Sequence, residues 1–309
     1  MPGDERIIDV SMRPAYLSLD TERIRIRIED EPDVFVPLAE TAVVVLGHRQ
    51  VTCSGAVLAG MMRHGGSVVV CDDVQTPVGM MLPLGVHALQ TQRIRAQLSA
   101  SVPTRKRLWK HIVQAKIKAQ AYTLEVHTGD DAGLRALAAR VRSGDAGNDE
   151  STAAQRYWPR IFADPMFRRR REAPDQNRLL NYGYAVVRAA VGRAICAAGL
   201  HASVALHHKH RENTWALADD LIEPYRTLVD DEVVEIVGEY GGDVTLNPSI
   251  KHRLIGVLHE RLWDGGSGGE SRTVLDWIGR TASSLARVFN GEASRVTYPE
   301  GLWRAPPRC

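Results

Sequence analysis

The spacing of the hydrophobic residues changes once along this chain, at about residue 86. Before that point the apolar residues alternate or form short runs, as in Arg23–Ile28 (RIRIRI), Ala42–Leu46 and Ser67–Cys71. Alternation and short apolar runs of this kind are typical of β-strands. After residue 86 the apolar residues recur every three to four positions, which is the helical period. The sequence therefore predicts an α+β multidomain protein, in which a small, mainly β N-terminal domain precedes a larger all-α C-terminal domain. We place the first domain at residues 1–85, a linker at 86–100 and the second domain at 101–309.

Length and composition agree with two soluble domains. The chain has 309 residues, of which 44% are hydrophobic and 25% are charged, so it can bury a substantial core. No apolar run approaches the roughly 18 residues of a membrane span, and the N-terminal residues MPGDERIIDV lack the layout of a signal peptide. We therefore expect a cytoplasmic protein with no membrane partner. The four cysteines form no C-x-x-C pair, which argues against a disulfide framework and against a zinc ribbon.

Positive charge is concentrated in the middle of the chain. Residues 91–171 contain 17 lysines and arginines against 7 aspartates and glutamates, a net charge of +10. A cluster of this kind attracts a phosphate backbone, although a solvated helix face with a charged loop explains it equally well. We expect the arginine run to face solvent. The candidate DNA-binding residues are Arg105, Lys106, Lys110, Arg168, Arg169, Arg170 and Arg171.

Histidines and carboxylates come together in residues 207–226, HHKHRENTWALADDLIEPYR. If residues 214–223 are helical, Asp219 and Asp220 stand four and three positions before Glu223, so these acids share one face. A divalent metal would relieve their repulsion, and His208 would add a nitrogen ligand. The alternative is a solvated acidic face beside a histidine-rich loop.

A further carboxylate, Glu150, follows the polar loop Ser143–Asp149 at the predicted start of a helix. A carboxylate in a first turn favours the helix dipole, so a capping role is the alternative to a catalytic one.

Four segments of the chain form a recognisable set of motifs. Three of them are ESTAAQRYW from Glu150, RLWKHIVQAKIKAQA over Arg107–Ala121 and LLNYGYAVVRAAV over Leu179–Val191. The fourth is a histidine followed by N-x-x-x-L-A-x-D-L-x-E-P-x-R. Its residues here are His208, Asn213, Leu217, Ala218, Asp220, Leu221, Glu223, Pro224 and Arg226. The four segments resemble the CRISPR-associated endonuclease one family, the integrase of spacer acquisition. They occur in the family's order and span most of the chain, and the resemblance is closest to the type II branch.

This resemblance implies that the helical domain is catalytic and that Glu150, His208 and Glu223 are its catalytic metal ligands, with Asp220 as a supporting acid. Two oxygens and one imidazole suit Mg²⁺ or Mn²⁺. The implied reaction is metal-assisted phosphoryl transfer. A 3′-hydroxyl of a short DNA spacer attacks a repeat phosphodiester of a CRISPR array, or water attacks in a nuclease reaction.

The resemblance also implies the partners. These are double-stranded DNA as spacer precursor and repeat, a second copy of the chain in a homodimer, the second small CRISPR-associated adaptation protein, and type II effector and accessory adaptation proteins.

We expect His201, His207 and His210 to be exposed loop histidines, of which His210 is placed to contact phosphate.

Two other functions remain open from the sequence. One is a non-catalytic DNA-binding subunit of the same complex. The other is an unrelated helical metal-dependent phosphoesterase, for which the basic middle third and the separate β domain have no evident use.

Overall fold

The computed structural model describes residues 5–73, 77–83, 87–170, 173–208, 213–263 and 271–299. Within these ranges a strand-rich N-terminal region precedes a helical C-terminal region, so the predicted fold class is confirmed. The predicted boundary at residues 85 and 86, together with Arg171 and His210, lies outside the described residues.

The N-terminal region contains two four-stranded sheets and one helix. Its elements are β1 (Arg6–Val10), β2 (Tyr16–Asp20), β3 (Arg23–Arg27), β4 (Val34–Pro37), β5 (Thr41–Leu46), β6 (Thr52–Cys53), α1 (Gly55–Arg63), β7 (Ser67–Cys71) and β8 (Pro77–Met81). One sheet has the order β1-β5-β7-β8, and only its β7–β8 pair is antiparallel. The other has the order β4-β3-β2-β6.

The alternation in the sequence determines which face of each strand is buried. In β3, Ile24 and Ile26 join a core shared by both sheets and α1, while Arg23 and Arg27 are exposed. In β5 every second residue faces the opposite way, so Val44 lies in that core and Val43 lies in the core of the helical region. A strand buried on both faces explains the unbroken apolar run AVVVL that follows Thr41.

The helical region contains nine helices and a short ribbon among the described residues. Its elements are α2 (Gln90–Ser99), α3 (Val102–Thr128), α4 (Leu134–Arg140), α5 (Asp149–Ile161), α6 (Asn177–Ala197), α7 (Ala216–Ile222), α8 (Arg226–Tyr240), α9 (Pro248–Gly256), β9 (Arg261–Trp263), β10 (Ser271–Thr273) and α10 (Val274–Phe289). The predicted linker thus contains a helix, α2. The antiparallel β9–β10 ribbon adds strands to a region predicted to be entirely helical.

Helix α3 lies at the centre of the helical region, in contact with α4, α5, α7 and α8. At its start, the Ser101 hydroxyl accepts a hydrogen bond from the Thr104 amide and Pro103 occupies the first turn. It ends at Gly129, whose φ of 77° lies in the left-handed region that glycine adopts without strain.

Helix α6 connects the two regions. On one side it packs on the sheet containing β5, and Arg193 binds Glu5 through two contacts of 2.7 Å. On the other side Gly183 lets α8 approach closely, because an added Cβ would lie 2.3 Å from Val229 Cγ1. Among the helices in the described ranges, none combines the length and the apolar character that crossing a membrane requires.

Candidate active site

Glu150 lies in the first turn of α5, as the sequence predicts, but it does not cap that helix. The carboxylate of Asp145 accepts hydrogen bonds from the amides of Asp149, at 2.9 Å, and Glu150, at 3.2 Å. Asp145 therefore provides these capping hydrogen bonds, while the position of Glu150 in the first turn still suits the helix dipole. Its Oε1 instead lies 2.6 Å from Nζ of Lys116, on α3.

Glu223 lies where the proline that follows it interrupts the helical run. A 3-10 turn over Glu223–Tyr225 joins α7 to α8 and directs the carboxylate, which is only 5% exposed, toward α3. Its Oε2 lies 2.6 Å from Lys116 Nζ, and its Oε1 lies 3.1 Å from Arg226 Nε. Burial alone would raise the pKa of Glu223, but Arg226 and Lys116 outweigh it and lower the pKa to about 2.

Lys116 therefore joins two of the three predicted catalytic residues. In the sequence it belongs to the basic middle third, whereas in the fold its ammonium lies between two carboxylates. Burial would lower the pKa of Lys116, but the charges of Glu223 and Glu150 outweigh it and raise that pKa. Charge counting provided no signal for this role, because the acids come from two distant segments.

His208 is held by Asp220, which is fully buried in α7. One carboxylate oxygen of Asp220 lies 2.7 Å from His208 Nδ1, and the carboxylate also accepts hydrogen bonds from the amides of Leu206, His207 and His208. Because a carboxylate only accepts here, Nδ1 carries a proton, and in the neutral ring Nε2 is the nitrogen with the lone pair. The hydrogen bond to Asp220 raises the pKa of His208, and the charges of Asp220, Glu223 and Glu150 act in the same direction.

Two residues outside the predicted set support this loop. The ring of Trp109, on α3, stacks on His207 with a centroid distance of 4.3 Å and an interplanar angle of 2°. The buried side chain of Gln97 donates to the carbonyls of His201 and Val204. His207 is thus exposed, as expected, but one face of its ring is covered. Gln97 lies in the predicted linker, so no sequence signal pointed to it.

Asp219 lies outside this cluster although it precedes Asp220 directly. Its oxygens accept hydrogen bonds from Arg188 at 2.6 and 2.8 Å and from Asn213 at 2.7 Å. Asp219 therefore pairs with Arg188, whereas Glu223 pairs with Lys116 and Arg226. The spacing of the two acids predicts that they share one face and one cation, and for Asp219 this prediction is wrong.

The donor chemistry of the site fits a divalent ion, but its side chains are not arranged as a closed cage. Glu223 Oε2 is buried and makes no hydrogen bond of regular geometry within the described residues, and Glu150 and His208 add one oxygen and one nitrogen donor. Across the ranges that the structure describes, however, no three His, Cys, Asp or Glu side chains form a group ready to hold an ion. The Lys116 ammonium lies between the two glutamates instead.

The candidate DNA-binding residues differ in exposure. On α3, Lys106 is exposed, whereas Arg105 and Lys110 are half-buried. In the loop after α5, Arg168 and Arg170 are exposed. The expectation that the whole arginine run faces solvent is wrong for Arg169. Its guanidinium donates to Asn177 and Asn181 and lies 5.2 Å from the centre of the Tyr184 ring.

A buried polar cluster lies behind the site. The carboxylate of Asp230, on α8, accepts hydrogen bonds from the hydroxyls of Tyr157 and Tyr184. The guanidinium of Arg226 lies 4.7 Å from the centre of the Tyr184 ring, which links this cluster to Glu223. Burial raises the pKa of Asp230 to about 6, against the effect of the two tyrosine hydrogen bonds.

Replacing Asp230 by asparagine is expected to change the pH dependence of stability. The folded-state pKa of Asp230 lies above its ordinary value of 3.8, so this group binds protons on folding and contributes less stability as the pH rises from about 4 to about 6. Asparagine lacks this titration. The free energy of unfolding of Asp230→Asn should rise relative to that of the unmodified protein by roughly 2 kcal/mol between pH 4 and pH 7. Urea titrations at both pH values measure it, and a constant difference would contradict it.

Residues 9–240 match the protein family described as CRISPR associated protein Cas1. The chain is 36% identical over 289 residues to the CRISPR-associated endonuclease Cas1 of Neisseria meningitidis serogroup C (strain 8013), and the match covers 93% of each protein. Two solved structures are similar in fold. A casposase bound to an integration product has a TM-score of 0.77 at 18% identity, covering 96% of this chain and 94% of that one. A Cas6-RT-Cas1–Cas2 complex has a TM-score of 0.73 at 17% identity, covering 98% of this chain and 36% of that one.

Proposed function

Because this chain belongs to the Cas1 family of CRISPR-associated proteins, we propose that it is a metal-dependent DNA endonuclease and integrase of the type II branch. It inserts short DNA spacers into a CRISPR array by attack of a 3′-hydroxyl on a phosphodiester of the repeat.

The observation that carries this proposal is that Glu150 and Glu223, which come from two separate segments, both lie 2.6 Å from Lys116 Nζ. His208 is held by Asp220 in the loop before α7. A non-catalytic DNA-binding subunit would have no need to keep the two glutamates together. Nor would a phosphoesterase for small substrates need the basic middle third.

Glu150, Glu223 and the Nε2 atom of His208 would hold the ion, which we propose is Mg²⁺ or Mn²⁺. When bound, such an ion polarises a phosphate oxygen and stabilises the negative charge that develops during phosphoryl transfer. Asp220 fixes the tautomer and the orientation of the imidazole, as carboxylates behind metal-binding histidines do. Trp109 and Gln97 restrict the loop that carries it.

The proposed partners are double-stranded DNA, a second copy of this chain, the small adaptation protein Cas2 and type II effector and accessory proteins. DNA is supported by the similar casposase, whose structure is bound to an integration product, and Cas2 by the similar complex that contains Cas1 and Cas2. The two exposed arginines of the loop after α5 are the sequence-independent contacts that we would test first.

The experiment that tests the proposed function is integration of a labelled short duplex into a repeat-bearing target, with Cas2 supplied. Product should form with Mg²⁺ or Mn²⁺ and disappear with chelator. Turnover of a small phosphoester with none on DNA would overturn the proposal.

Replacing Arg168 and Arg170 together by alanine is expected to weaken DNA binding without unfolding the protein. Both side chains are exposed, so each loses a phosphate contact and little packing. The slope of log affinity against log salt should fall by about one to two, since each phosphate contact contributes roughly 0.9. Arg169 is left intact because it supports the fold. The matched control is the double alanine variant of Arg280 and Arg287, two exposed residues of α10. An unchanged slope would mean that Arg168 and Arg170 face solvent and do not contact DNA phosphates.

A further inference from the structure

We propose that Lys116 is the built-in counter-ion of Glu150 and Glu223, and that a divalent ion enters the site by displacing its ammonium group. This inference rests on the function proposed above, because it concerns how the same site takes up its metal.

The first argument is the position of the ammonium. Lys116 Nζ lies 2.6 Å from Glu150 Oε1 and 2.6 Å from Glu223 Oε2, so these two oxygens are no more than 5.2 Å apart. An ion that bound both oxygens at about 2.1 Å would need them within about 4.2 Å of each other. The ammonium therefore competes with such an ion for the same two oxygens.

The second argument is the balance of charge. Glu150 and Glu223 face two cations, Lys116 and Arg226, so this group of four is neutral without metal. A divalent ion added while both cations stayed in place would set four positive charges against two negative ones. Such an excess is unfavourable where water screens poorly, and withdrawal of one ammonium relieves it.

The third argument is that the Lys116 ammonium can move away from the two carboxylates. Its side chain is 14% exposed, so part of its length reaches solvent. Four rotatable bonds let a lysine move its charge without a movement of the backbone. Arg226, in contrast, is 29% exposed but lies against the Tyr184 ring, so it is the less mobile cation of the pair.

The consequence is a site that is assembled before its metal arrives. Glu150 and Glu223 belong to α5 and to the turn after α7, and without a cation between them their charges would repel. Lys116 holds the two carboxylates in place. Because its ammonium competes for the same oxygens, it also weakens the affinity of the site for the ion.

The test is Mn²⁺ binding to the full chain without DNA, measured by calorimetry, together with melting curves in chelator. Lys116→Met removes the charge and keeps the length of the side chain. We expect its Mn²⁺ dissociation constant to fall on the order of ten-fold. Its melting temperature in chelator should be lower than that of the unmodified protein, and its rise with Mn²⁺ should be larger. Lys118→Met is the matched control, because Lys118 is exposed on the same helix, and it should behave as the unmodified protein.

Lys116→Gln is the second neutral variant, for use if Lys116→Met does not fold, since its neutral amide is a polar hydrogen-bond donor and therefore costs less beside two carboxylates than a methyl group does. Equal or weaker Mn²⁺ affinity in the neutral variants contradicts the inference while leaving the metal site intact. If neither the unmodified protein nor any variant binds Mn²⁺, the inference and the proposed metal site both fail.

Discussion

Replacing Glu223 by glutamine is expected to reduce strand transfer by on the order of a thousand-fold. Glutamine keeps the size of the side chain but removes a charge that the unmodified protein carries throughout the neutral range, since the pKa of Glu223 is about 2. The site then loses one anionic ligand, so added Mn²⁺ should raise the melting temperature less than it does in the unmodified protein. The measurements are integration of a labelled duplex and melting curves with and without metal.

The same substitution should also lower stability. The spacing of the acids predicts mutual repulsion that a neutral residue would relieve, but in the fold Glu223 is flanked by Lys116 and Arg226. Without the carboxylate, Arg226 loses its closest anion, at a cost of roughly 3 kcal/mol for a largely buried pair. Glu239→Gln is the matched control, because Glu239 is exposed on α8 and pairs with Arg253. An active Glu223→Gln enzyme would contradict the metal-site proposal.

The sequence predicted the fold well where one physical signal dominated. Strand β3 follows from strict alternation, and α3 follows from apolar residues that recur every three to four positions after residue 86. Prediction from the sequence failed where the contacts that determine the structure join residues far apart along the chain. Helix α2 looked like a linker because it has few apolar residues, yet Gln97 on it holds the loop that leads to His208.

The same distinction applies to the site. Glu150, His208, Asp220 and Glu223 were selected by resemblance to family segments. The structure joins Glu150 to Glu223 through Lys116, and it joins His208 to Asp220. Lys116 was visible only as one more positive charge, because its two partners lie 34 and 107 positions further along the chain. Composition cannot distinguish a lysine that meets DNA from one that neutralises two buried acids. The domain boundary and the roles of the residues in DNA binding stay predictions.

Asp220 and Asp219 are adjacent on α7, but replacing Asp220 by alanine should cause a large loss of stability and activity, whereas replacing Asp219 should cause a small one. The Asp220 carboxylate is fully buried and binds three backbone amides as well as the His208 imidazole, so Asp220→Ala leaves buried donors without an acceptor. We expect a loss of roughly 3–5 kcal/mol in the free energy of unfolding and a fall in strand transfer on the order of 100-fold, because His208 is no longer oriented.

Asp219→Ala removes a partly exposed ion pair with Arg188, for which we expect a cost of about 1 kcal/mol or less and activity within roughly three-fold of the unmodified protein. Denaturant titrations and integration assays on both variants, carried out below the lower melting temperature, separate loss of fold from loss of function. Because the two residues lie on the same helix and carry the same charge, the difference between the variants depends on which groups each carboxylate contacts. An inactive Asp219→Ala enzyme beside an active Asp220→Ala enzyme would mean that the wrong acid of this pair supports the histidine.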